Sequence, residues 1–226
     1  MTIVVDSSSF PNAWAYAVKR LMDYGINQPA DEERNVMIRN DDCVINMDYQ
    51  AIMDISKHRL HPSYPQQFGL DEYIAQFDPA SKQAQTSILE QPYTYLSRTW
   101  KQMRYIRDNH LLMKKFNKRV RAITWSPFED LGSAAPPCAQ SIALRNIGDD
   151  RVHLFTVWRS HDAYGAWQWN NIALYHYVNN EILEPEGLKL TKWTEYNESL
   201  HVYDYNWADA RKVLPLPEVA LHTIYK

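Results

Sequence analysis

Apolar residues along this chain follow a helical period in the first half and a strand period in much of the second. Ser7-Ser8-Ser9 followed by Pro11 has the chemistry of a helix start. Trp14, Val18, Leu21 and Met22 then recur at helical spacing as far as Gly25. Residues 35–47 contain short apolar runs split by Asn40-Asp41-Asp42, which predicts a hairpin. His61 to Gln67 predicts a proline-punctuated loop, and Leu70 to Phe77 a short helix broken by Asp78-Pro79. Residues 78–92 predict a surface excursion. Tyr95 to Asn109 carries Leu96, Trp100, Met103 and Ile106 on one side, the stripe of a long amphipathic helix.

Beyond Asn109 the pattern changes. Val120 to Trp125, Ala139 to Leu144 and Val152 to Trp158 predict strands, with a turn at Gly148-Asp149-Asp150 between the last two. Gln168 to Leu183 predicts a helix, and Leu188 to Tyr196 and Leu200 to Tyr203 predict further strands. Few long crossover helices separate these strands, so the expectation is an α+β fold with a mixed or antiparallel sheet. No internal repeat or low-complexity segment interrupts the chain, and its 226 residues suit one domain, 1–226.

Composition narrows the function. A net charge of -3 gives no reason to expect a nucleic-acid backbone as partner, so any phosphate must be bound locally. Two cysteines, Cys43 and Cys138, make no disulfide framework, and their spacing is not a metal motif; no metal is expected. No run of about 20 apolar residues appears, and the N-terminus lacks a signal-peptide pattern. The expectation is a soluble protein of a reducing, cytoplasmic compartment with no membrane partner. The 8 Trp and 15 Tyr predict packing residues whose polar tips need partners.

The chemistry concentrates around Pro136-Pro137-Cys138-Ala139-Gln140. Cys138 opens one predicted strand, and the hairpin partner ends in Trp158-Arg159-Ser160-His161-Asp162, so a thiol and a guanidinium can face one cavity. Arginine favours a nearby thiolate and binds phosphate through its fork of donors. A lone free cysteine is more often a small buried hydrophobe. The continuation adds weight: Asp162 is followed by Gly165, by Asn170-Asn171 at a predicted helix start, and later by His201-Val202-Tyr203. Asparagine is a favoured cap at such a start. His201 and Tyr203 alternate on a strand and share a face.

In that order and spacing these pieces resemble the thymidylate synthase and pyrimidine nucleotide hydroxymethylase family, well over residues 118 to 205 and more faintly before. The short N-terminal half, without the glutamate-leucine-tryptophan helix of common synthases, looks nearer to the compact, archaeal-type branch. The resemblance implies a thymidylate synthase-like fold, a large twisted mixed sheet packed with helices and dimerising through the sheet. It also implies a pyrimidine nucleoside monophosphate as substrate, 5,10-methylenetetrahydrofolate as one-carbon donor, and a homodimer.

Roles follow by resemblance. Cys138 matches the nucleophile that adds to C6 of the pyrimidine, activating C5. Arg159 and Ser160 match the phosphate pair. Lys118 and Arg119 match the basic pair offered to the partner subunit's phosphate, with lysine where the family commonly has arginine. Arg34, with Arg39 as competitor, matches the N-terminal phosphate arginine. Asn170, or Asn171, matches the asparagine that reads the pyrimidine edge; an amide offers a donor and an acceptor and suits uracil, where cytosine-specific relatives tend to carry aspartate. His201 and Tyr203 match the pair on the sugar hydroxyl, Asp162 the pterin-binding residue, and Gly165 a close-approach backbone position. Glu72, with Asp71 as rival, matches the catalytic glutamate, and Tyr95, with Tyr93 as alternative, the tyrosine of the proton relay. The leading expectation is a thymidylate synthase acting on dUMP. A nucleotide hydroxymethylase, in which water captures the methylene, is the alternative, and a non-catalytic nucleotide-binding protein is the third.

Overall fold

The computed structural model describes residues 2–31, 36–91, 93–113 and 117–217. In chain order the elements are β1 (Ile3–Ser7), α1 (Phe10–Tyr24), β2 (Ile26–Asp31), β3 (Val36–Met47), α2 (Tyr49–Ser56), α3 (Leu70–Ala75), α4 (Lys82–Glu90) and α5 (Tyr95–Asp108). Then follow β4 (Arg121–Ile123), α6 (Pro127–Asp130), β5 (Ala139–Gly148), β6 (Arg151–Trp158), β7 (His161–Asp162), α7 (Trp167–Val178), β8 (Lys189–Tyr203) and α8 (Trp207–Ala210). Helices and a large mixed sheet make the chain α+β, as predicted.

The strands form an eight-stranded sheet in the order β1-β3-β8-β6-β5-β4, with β2 also on β3 and β7 also on β8. β1 is parallel to β3, and β6 and β7 are parallel to β8; the other pairs are antiparallel. The two long strands, β3 and β8, therefore form its spine.

The helix starts follow from their caps. The Ser9 side chain accepts from Asn12 N–H and Pro11 occupies the first turn of α1, where a missing N–H costs nothing. Thr94 and Ser97 form a reciprocal capping box at α5. The turn at 148–150 has positive φ at Gly148 (96°), Asp149 (53°) and Asp150 (57°), which only glycine and short polar residues tolerate readily.

Aromatic residues fill the core. Trp14, Trp158, Trp167 and Trp193 are fully buried, and Phe10 of α1 stacks on Trp167 of α7 at 5.1 Å. Three of their polar tips find partners, Trp14 Nε1 donating to Ala163 O (2.6 Å), Trp193 Nε1 to Thr156 Oγ1 (3.0 Å) and Trp167 Nε1 to Glu195 Oε1 (2.6 Å), whereas Trp158 Nε1 has none among the described residues. No helix among the described residues is long and apolar enough to cross a membrane.

Three expectations need correction. Residues 36–47 are one strand rather than a hairpin; Asn40-Asp41-Asp42 is absorbed because Asn40 is buried and donates to Ser199 Oγ at 3.1 Å. It pairs antiparallel with both β2 and β8. The stretch 78–92 contains α4, capped by Ser81. The strands predicted at 188–196 and 200–203 are one, because Glu198 and Ser199 bulge opposite Asp42 instead of ending it. β1 and α2 had no distinct signal in the pattern, being short and buried against longer partners.

Candidate active site

The β5–β6 pairing sets Ala139 opposite Trp158, so the residues just outside it, Cys138 and Arg159, are brought together. Arg159 N–H donates to Cys138 O at 2.9 Å. Its guanidinium donates through Nε to Pro137 O (3.1 Å) and through Nη2 to Pro136 O (2.8 Å), and Nη2 lies 3.9 Å from Cys138 Sγ. The two prolines lack N–H groups and present carbonyls, which Arg159 ties down. Among the described residues Nη1 has no hydrogen-bond partner, which leaves a face of the fork for an anion.

Burial pushes the Cys138 thiol above its usual value, while Arg159 and the neighbouring Tyr95 hydroxyl pull it down. The expectation that arginine would leave a low thiol is corrected: desolvation outweighs it. Tyr95, at the start of α5, sits edge-on to Trp158 (5.8 Å, 81°), and its phenol is held protonated by burial and by proximity to Cys138. Tyr93 lies beside it, ring centroids 6.2 Å apart.

Asn170, in the first turn of α7, is not its cap; that place belongs to Ala166. Its side chain is hydrogen-bonded at both ends: Tyr73 OH lies against Oδ1, and His161 Nε2 is 3.0 Å from Nδ2. Asn171 turns back onto its own helix, donating to Trp167 O (3.0 Å), and is wholly buried. Between the two asparagines, Asn170 is the one directed toward Tyr73, whose phenol feels the Cys138 thiol.

His201 and Tyr203 are neighbours, with ring centroids 4.9 Å apart, and His201 pairs across the ladder with Asp162. Burial lowers the His201 pKa, with Asp162 opposing and Arg159 reinforcing the shift. Cys138 in turn helps raise the Tyr203 phenol, so this pair and the thiol share one neighbourhood. Asp162 Oδ1 accepts from the N–H groups of Tyr164 and Gly165, both at 3.0 Å. A Cβ on Gly165 would lie 2.5 Å from Asp162 Oδ2, so this close approach requires glycine. Ser160 is half-buried directly after Arg159.

Other expected residues are not brought in. Glu72 is exposed on α3 with no hydrogen bond to a described residue; Tyr73, next to it, makes the contact with Asn170 instead. Asp71 is likewise exposed and acts on His176. Lys118 and Arg119 are exposed ahead of β4. Arg34 lies outside the described residues. Arg39 is engaged elsewhere, donating to Leu21 O (3.0 Å) and Asn27 Oδ1 (3.2 Å).

Three polar residues that the sequence reading passed over are buried behind Asn170: His161, Glu195 and Asn197. His161 sits inside the Arg-Ser-His-Asp run and reads there as a spacer; Glu195 and Asn197 alternate on a strand whose inward positions are otherwise Leu190 and Trp193. Buried polar residues at apolar positions were the available signal.

A separate cavity of about 970 Å3 opens near Ser9, Asp48 and Lys192. Cys138 and the histidines do not line it. Its carboxylates are engaged: Asp48 caps α2 and accepts from Ser8, Asp54 pairs with Arg59, and Asp6 accepts from Asn46. It offers no thiol, and the Cys138 cluster is the better site.

No family model matches the chain. Similarity does extend to archaeal proteins named "Putative thymidylate synthase". The one from Methanothermobacter thermautotrophicus is 33% identical over 98 residues, covering 43% of each chain, and that from Methanococcoides burtonii 34% over 116 residues, 50% of this chain and 51% of the relative. These alignments thus span about half of those relatives or less. The protein from Methanosarcina barkeri is 27% identical over 213 residues, 90% of this chain and 91% of its own. The chain is thus similar to proteins named putative thymidylate synthase, over part of its length at about a third identity and over most of it at 27%.

Proposed function

We propose that the protein transfers a one-carbon unit from 5,10-methylenetetrahydrofolate to C5 of a pyrimidine nucleoside monophosphate, as a thymidylate synthase converting dUMP to dTMP. The observation that carries this reading is the placement of the Cys138 thiol 3.9 Å from an arginine with a free guanidinium edge, close to Tyr95 and to the group around Asn170.

In this reading Arg159, through its remaining Nη1, and Ser160 hold the phosphate. His201 and Tyr203 meet the sugar, and Asn170 reads the base edge. Cys138 Sγ, as thiolate, adds to C6, and the electron pair displaced from the C5–C6 double bond makes C5 nucleophilic. Tyr95, which keeps its proton, donates to the sulfur and favours its anionic form. Elimination later returns the electron pair to C5–C6 and frees the thiolate. Glu72 is the carboxylate this reading offers for ordered-water proton chemistry at the ligand-bound site.

The residues at Asp162 fit a pterin. Asp162 spends Oδ1 on two backbone N–H groups, and among the described residues Oδ2 has no hydrogen-bond donor, so it can accept from a ring N–H; Gly165 lets a flat ring approach. The folate, when bound, supplies the one-carbon unit and the hydride. Lys118 and Arg119, exposed here, would reach the phosphate of a partner subunit in a homodimer.

Incubation with 5-fluoro-dUMP and methylenetetrahydrofolate tests the reading: a covalent adduct at Cys138 is expected by mass spectrometry, and dUMP should yield dTMP with growth of dihydrofolate absorbance. No adduct rejects the enzymatic reading; hydroxymethyl-nucleotide as sole product replaces the synthase with a hydroxymethylase.

A further inference from the structure

Behind Asn170 runs a chain of buried polar groups that ends on a donor with no choice. The Trp167 indole N–H can only donate, and it donates to Glu195 Oε1 at 2.6 Å. The same oxygen lies 2.8 Å from the Asn197 amide, which must therefore turn Nδ2 toward it. That orientation presents Asn197 Oδ1 to His161 Nδ1 at 3.2 Å, nearer than the Glu195 oxygen at 3.5 Å. Nδ1 of the imidazole accordingly carries a proton, and Nε2, facing the Asn170 amide nitrogen, takes the acceptor's part. Asn170 Nδ2 lies 3.0 Å from Nε2, which sends Oδ1 to the other side. On that side Tyr73 OH awaits it, a phenol that burial keeps protonated and so a donor.

His161 has little freedom to do otherwise. It is 2% exposed, stacked on Trp158 at 3.9 Å and 14°, and Glu195 and Asn197 are fully buried. The orientation of the Asn170 amide is thus dictated from both ends. One N–H and one lone pair remain to it for a ligand.

We infer that His161 and Tyr73 are positioning residues that lock the Asn170 amide in one orientation, and that this lock makes the site discriminate between uracil and cytosine. An unpinned amide can rotate by half a turn and exchange its donor for its acceptor. It would then match N3 and O4 of uracil in one state and N3 and N4 of cytosine in the other. A pinned one matches a single base, because the wrong base leaves buried polar groups unpaired. The inference rests on the proposed reading of Asn170 as the base-contacting residue.

The test is the ratio of dissociation constants for dUMP and dCMP, measured by calorimetry on the wild-type protein and on His161→Phe and Tyr73→Phe. The first variant keeps an aromatic ring on Trp158; the second removes one hydroxyl and settles the matter should the first fail to fold. The expected result is a wild-type preference for dUMP that falls by about tenfold or more in a folded variant, equivalent to roughly 1.4 kcal/mol. A smaller change in Tyr73→Phe, a wild-type ratio near one, or no binding of either nucleotide overturns the inference. A wild-type preference for dCMP that collapses in the variants would retain the lock and reject uracil. Failure to trap 5-fluoro-dUMP covalently rejects the catalytic reading alone, since nucleotide binding reports the lock without chemistry.

Discussion

The Arg159 guanidinium lies 3.9 Å from the Cys138 sulfur while its other donors close on the carbonyls of Pro136 and Pro137. One side chain thus anchors the segment that carries the thiol and leaves an edge for an anion. Arg159→Ala should weaken nucleotide binding by about 2–5 kcal/mol, the cost typical of a buried charged contact losing its partner. Calorimetry with dUMP reads this, and Arg159→Lys should recover only part, because a lysine cannot span both carbonyls and a phosphate.

Cys138→Ala should abolish both adduct and turnover while leaving dUMP affinity close to wild type. Intact-protein mass spectrometry and calorimetry on the same sample separate the two effects.

Thiol reactivity should depend on pH in a defined direction. Burial raises the Cys138 pKa, so the thiolate fraction near neutral pH is below that of an ordinary cysteine and grows as pH rises. The alkylation rate with iodoacetamide should therefore reach half its maximum above about pH 8.5, the usual thiol value. Tyr95→Phe removes a group that favours the thiolate and should move that midpoint higher still. A lower midpoint in the variant would contradict the role given to Tyr95.

Asn170→Asp should shift preference from the uracil toward the cytosine nucleotide, because a carboxylate accepts from the N4 amine and repels O4. Competition between dUMP and dCMP for turnover measures it.

Gly165→Ala should destabilise the fold by roughly 1–3 kcal/mol through overpacking, since the new methyl would meet Asp162 Oδ2 at 2.5 Å. Thermal unfolding gives the stability loss, and folate affinity should fall with it.

The fold class and the longest elements were legible because their signals are local: the caps of α1 and α5, the stripe on α5, the positive-φ turn at 148–150. The hairpin mistaken at 40–42 failed for a tertiary reason, since only β8 across the ladder supplies Ser199 to satisfy Asn40. In the site, the ordered motif at 138, 159, 162, 170, 201 and 203 was readable, and the structure gathers those residues. Tyr73 was missed beside Glu72 because adjacent positions on a short helix differ by about 100° in direction, which sequence alone does not resolve. His161, Glu195 and Asn197 were missed because their significance lies in a hydrogen-bond chain between distant segments, invisible until β8 and α7 are packed.

The bulge at Glu198 and Ser199 carries a further consequence. Trp193, Glu195 and Asn197 are buried before it and Leu200 and Val202 after it, so parity along β8 changes at that point and His201 is set beside Tyr203. Deleting one of the two would leave a regular strand in which Leu200 and Val202 stay on the face of Asn197, with His201 and Tyr203 on the other, because the bulge is one extra residue opposite Asp42. A one-codon deletion there should therefore leave both faces of the strand end in place, as should substitutions at the same two positions.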